Sequence, residues 1–144
     1  MPALMLIAVL TLAAPNREDP TPKEAKSLHE QLIGDWLQVK RVIGGTDQPN
    51  LNNLTLVFTR DSLQHVQGVN GVKKLGPSFT YSLDATKQPA VISFWTSKYE
   101  GILKIEGDLL TICYSQVGES QPPGRFLSTA NPSTTLLQAT RIKK

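Results

Sequence analysis

The stretch Leu32-Ile33-Gly34-Asp35-Trp36 decides how this chain is read, because a helical apolar period stops there and a two-residue period begins. Ahead of it, Thr21-Pro22-Lys23-Glu24 has the make-up of a helix start. A threonine hydroxyl accepts from the amide three residues on, a glutamate there reaches back, and proline suits the first helical position. Ala25, Leu28 and Leu32 then recur at helical spacing, leaving Lys23, Lys26, Glu30 and Gln31 for water. Gly34 stands where a left-handed terminating residue is wanted. A helix of about three turns is marginal alone, so its apolar stripe has to dock on whatever begins at Trp36.

What begins there is strand-like. Residues 35–43 make a first run, ended by Gly44-Gly45. Leu54, Leu56 and Phe58 alternate with Thr55, Val57 and Thr59; Arg60-Asp61 turns the chain into residues 62–69, and Asn70-Gly71 is a hairpin signal. Phe79, Tyr81 and Leu83 alternate with Ser78, Thr80 and Ser82 before a turn-rich segment at 84–89. Residues 90–96, 102–106 and 109–114 follow, the last two flanking Glu106-Gly107-Asp108. A long loop at 115–131 precedes a final run at 133–141. The fold class expected is therefore all-β: an antiparallel barrel of about eight strands with one short N-terminal helix, closure disposing of exposed strand edges.

The composition fits one small domain. With 40% apolar and 19% charged residues in a chain of 144, about two thirds of the unfolded surface can be buried without disulfide or metal support. The net charge of +3 is spread along the chain, and no basic stripe interleaved with aromatics marks a nucleic-acid partner. Residues 1–16 carry no charged side chain, and residues 3–14 are apolar or small. That run is too short for a stable membrane span of about twenty residues. Residues 1–14 are accordingly read as a signal peptide, 15–21 as a polar linker and 22–144 as the barrel domain, which implies export to the periplasm or beyond.

Three motifs, Leu32-Ile33-Gly34-Asp35-Trp36, Asp84-Ala85-Thr86-Lys87-Gln88-Pro89, and the segment from Gly101-Ile102 through Glu106-Gly107-Asp108 to Ile112-Cys113, resemble a family of uncharacterised lipocalin-like domains. That family occurs chiefly in exported proteins of planctomycete bacteria. The resemblance covers roughly residues 27–141 and lies in the order and spacing of the motifs. It implies a lipocalin-like barrel but no established reaction. It also implies that Trp36, after Gly34, stacks on a basic residue near the end of the last strand, for which Arg141 is the match. The chain departs from the family at Leu103, at Leu109 and in Gln121-Pro122-Pro123-Gly124-Arg125-Phe126, so no family role passes to Arg125.

Catalytic chemistry is poorly provided for. His29 and His65 are distant from each other and from Cys113, and no set of three or four metal ligands is spaced for a site. Asp61, Asp84, Glu106 and Asp108 fall at turns, where turn chemistry accounts for them. No catalytic residue, metal or cofactor is assigned.

Binding is better supported by the pattern. Leu56, Phe58, Phe79, Tyr81, Ile92, Phe94, Leu103, Ile105, Leu110, Ile112 and Tyr114 are the residues expected inside the barrel. An eight-strand barrel either fills with its own side chains or holds one small ligand, and the pattern leaves both open. In the second case the Tyr81 and Tyr114 hydroxyls would orient a small hydrophobic molecule. The alternative is a structural or protein-interaction module of the cell envelope, using Trp95, Lys98, Tyr99 and the 115–131 loop as its contact surface.

Overall fold

Trp36 lies near the start of the strand that closes the molecule on itself. The computed structural model describes residues 26–49, 53–69, 72–95, 98–116 and 123–144; the expected signal peptide, linker, Thr21 helix start and Asn70-Gly71 turn lie outside these. A short helix, α1 (Leu28–Leu32), leads into β1 (Gly34–Ile43) and a two-residue β2 (Thr46–Asp47). The remaining strands are β3 (Leu54–Phe58), β4 (Ser62–Val69), β5 (Val72–Asp84), β6 (Ala90–Phe94), β7 (Tyr99–Glu106), β8 (Leu109–Gln116) and β9 (Thr135–Arg141).

From β3 to β9 each strand pairs antiparallel with the next, and β3 also pairs with β1. The last strand returns to the first, from Trp36↔Arg141 to Ile43↔Thr135, so β1 and β3 to β9 form a closed barrel of eight strands. This is the architecture that the alternating pattern requires. The extra strand β2 pairs with the far end of β1, Val42↔Asp47, beyond the reach of β3.

The helix is shorter than its sequence period suggests. Lys26 and Ser27 are not helical; Ser27 is the N-cap, its Oγ accepting from the Glu30 amide at 3.2 Å. A serine cap satisfies an orphan amide and so competes with continuation of the helix through that position. At the other end Ile33 is already extended, and Gly34 opens β1 with φ +137° instead of acting as a left-handed helix cap. The Trp36 indole donates to the Leu32 carbonyl at 2.9 Å, which ties helix to strand.

Inside, the barrel has two halves. Nearest α1 it is solid: Leu32, Trp36, Phe58, Ile92, Leu103 and Leu110 are all at most 1% exposed. Toward the other end of β1 the interior opens into a cavity. On the outer wall, residues 123–134 fold back over β8, where the Cys113 thiol donates to the Leu127 carbonyl at 3.5 Å and Thr134 is buried. Thr134 Oγ1 accepts from the Thr129 amide at 2.7 Å and donates to the Leu127 carbonyl at 3.1 Å. This part of the long loop is thus pinned to the barrel.

Candidate functional site

The cavity occupies about 450 Å³ at the end of the barrel away from α1. That is within the size range of small-molecule sites, roughly 300 to 1,000 Å³. Of the residues expected inside, Leu56, Phe79, Phe94, Ile112 and Tyr114 line it. Phe58, Tyr81, Ile92, Leu103, Ile105 and Leu110 belong to the packed half. Both outcomes that the pattern left open therefore occur in one barrel, divided along its axis.

Tyr81 departs from the expectation that its hydroxyl could orient a ligand. It is not in the cavity wall; its hydroxyl donates to the Thr59 carbonyl at 2.6 Å. Burial, and then the Asp61 carboxylate, push this phenol up to about 12. The cause is strand position: Tyr81 sits one inward place beyond Phe79 toward α1, edge-on to Phe58 and His29.

Aromatic rings from five successive strands form a continuous band around the cavity. His65 on β4 meets Phe79 on β5 at 5.3 Å between centroids, and Phe79 meets Phe94 on β6 at 6.4 Å. Phe94 meets Tyr114 on β8 at 6.3 Å, and Tyr114 meets Tyr99 on β7 at 5.4 Å. All four contacts are edge-to-face, the arrangement the ring quadrupole favours. Tyr99, read from sequence as a surface contact, is in this wall, and with Ile43 it stands at the mouth, 36% and 38% exposed.

Several lining residues are not anticipated by the alternating pattern: Arg41, Ile43, Leu63, His65, Pro77 and Leu137. For Arg41 the reason is a bulge. Trp36 and Gln38 point inward, and simple alternation would continue to Lys40 and Val42. The β1–β9 register shifts between Gln38 and Lys40, which reverses the phase and turns Arg41 and Ile43 into the cavity. A second irregularity, between Gln64 and Val66 in the β4–β5 ladder, sets Gly76 and Pro77 against His65. A Cβ on Gly76 would lie 3.3 Å from the His65 Cβ, so the glycine permits the close approach.

Polar groups are few and grouped. Arg41 Nη2 donates to the Tyr114 hydroxyl at 2.7 Å. Burial, and then the Arg41 guanidinium, lower His65 to about 4, so its ring is neutral at pH 7. Burial raises the Tyr114 phenol above its ordinary range, outweighing the opposing pull of Arg41. Among the described residues no group of three or more His, Cys, Asp or Glu is placed to hold a metal ion. No helix among them is long and apolar enough to cross a membrane.

Comparison with family models, curated proteins and solved structures found no match. The site is an aromatic-walled chamber over a packed floor, with the Arg41 guanidinium in its side.

Proposed function

We propose that this chain is a non-catalytic, exported, lipocalin-like binding domain that holds one small, mostly apolar molecule in the open half of its barrel. The observation that carries the reading is the 450 Å³ chamber walled by the ring band from His65 to Tyr99. An apolar chamber in an otherwise close-packed barrel forfeits dispersion contacts that a ligand restores. The packed half and α1 supply a rigid floor, so the site is preformed and the ligand need not order it. The reading of residues 1–14 as a signal peptide supports export, and the three motifs support the lipocalin-like resemblance.

The test is uptake of a neutral fluorescent probe, N-phenyl-1-naphthylamine, by the full chain. One equivalent is expected to bind, and Ile112→Phe, which fills the chamber from β8, is expected to weaken binding without loss of fold. No uptake by the folded wild type overturns the reading.

One observation favours a second reading, a protein-interaction module of the cell envelope. Trp95, at the start of the β6–β7 turn, is 71% exposed, with its indole nitrogen donating to Ser82 Oγ at 3.2 Å. Large exposed aromatics are common anchors at interfaces. Equal recovery of the same envelope proteins by wild type and Trp95→Ala would remove this residue from consideration.

A further inference from the structure

Arg41 reaches the chamber wall with a donor unmatched. Its Nη2 is committed to Tyr114, while its Nε is shielded from solvent and has no hydrogen-bond partner among the described residues. Shielded donors without acceptors destabilise a fold, the more so when they carry charge. Among the described residues, none of the four ion pairs involves Arg41, and no aspartate or glutamate lines the chamber. Among the described residues the guanidinium thus has no counter-ion.

His65 is neutral at pH 7 and offers no second charge. Among the described lining residues Arg41 is therefore the one formal charge, set among aromatic and aliphatic side chains. A planar guanidinium fork matches a carboxylate, and a charge-assisted hydrogen bond is about twice as strong as a neutral one. A single fixed cation in an apolar chamber suits a molecule with one anionic end and an apolar body.

We propose that the barrel binds a monocarboxylate with an apolar tail, the carboxylate pairing with the Arg41 guanidinium and the tail lying against the aromatic band. This rests on the binding reading above and narrows it to a ligand class. Tyr114 is a positioning residue: its hydroxyl fixes the guanidinium by accepting from Nη2. At about 30 Å³ per water-sized group, the chamber holds roughly fifteen non-hydrogen atoms, so a chain of about twelve carbons fits.

The experiment is displacement of N-phenyl-1-naphthylamine from the full chain, near neutral pH, by dodecanoate, dodecanol and dodecylammonium. Dodecanoate is expected to displace the probe at a concentration about tenfold lower than dodecanol, with dodecylammonium weakest. Arg41→Met is expected to erase the preference for the acid while still taking up probe and dodecanol, and Tyr114→Phe to reduce it in part. Equal displacement by acid and alcohol in the wild type, or an undiminished preference in a folded Arg41→Met, overturns the proposal. If Arg41→Met loses its circular dichroism spectrum, the wild-type comparison of the three compounds decides. Absence of probe uptake by the wild type instead removes the binding reading itself, so the two failures are distinct.

Discussion

The guanidinium carbon of Arg141 lies 4.2 Å from the centroid of the Trp36 ring. The two residues are direct cross-strand partners in the β1–β9 ladder that closes the barrel. Arg141 Nη2 also donates to the Gln31 carbonyl at 2.6 Å, near the end of α1, and Arg141 Nε approaches Asp108 at 3.8 Å. One side chain therefore joins the last strand, the first strand, the helix and the β7–β8 turn. It is the fastening at the solid end of the barrel.

Arg141→Ala is expected to cost about 2 kcal/mol, the sum of a partly desolvated cation–π contact and a hydrogen bond from a charged donor. Arg141→Lys should restore only part of this, because an ammonium cannot cover the indole and reach the helix carbonyl together. Urea midpoints of the three proteins measure it. An Arg141→Ala midpoint equal to wild type would mean that the stack is incidental.

Gly101 on β7 has no room for a side chain. A Cβ there would lie 2.5 Å from the Cys113 carbonyl oxygen and 2.6 Å from the Tyr114 Cβ, one of them backbone that cannot swing aside. Gly101→Ala is expected to destabilise the domain by about 2 kcal/mol or more through overpacking. It should also displace Tyr114, and with it the anchor of Arg41, so probe binding falls along with the thermal midpoint. A variant as stable as wild type would show that β7 and β8 can separate freely.

His65 makes stability fall in acid. In the unfolded chain an imidazole takes its proton near 6.5, whereas burial and Arg41 hold the folded group at about 4. Between those values the unfolded state binds more protons, so stability drops as pH falls from 6.5 toward 4, and above 6.5 the group contributes no pH dependence. For a half-buried ring screened by solvent the loss is about 1 to 2 kcal/mol. Denaturation midpoints measured across that window should fall more steeply for wild type than for His65→Gln. Parallel curves would place the acid sensitivity elsewhere.

The two-residue period from Leu54 to Phe58 and from Phe79 to Leu83, together with turn residues at Glu106-Gly107-Asp108, was enough to specify antiparallel strands in number and order. Local rules act within a few residues of chain, and alternation reports directly which side of a strand is apolar. The same rules are blind to the bulge after Gln38, because a register shift belongs to the pairing of β1 with β9, almost a hundred positions away. Hence the inward turn of Arg41 was not readable, nor was the division between the Tyr81 floor and the Tyr114 chamber. The helix start expected at Thr21 lies outside the described residues, and within them Ser27 caps α1.

By itself, then, the chain's patterning determined that this is a β-barrel with a helical plug, because burial of one face per strand leaves few other ways to remove the edges. Only the tertiary structure decided that a chamber opens at one end of the interior and that a cation lines it. Those features depend on how side chains from distant strands meet across the barrel, and a one-residue bulge is sufficient to exchange a surface lysine for a buried-facing arginine.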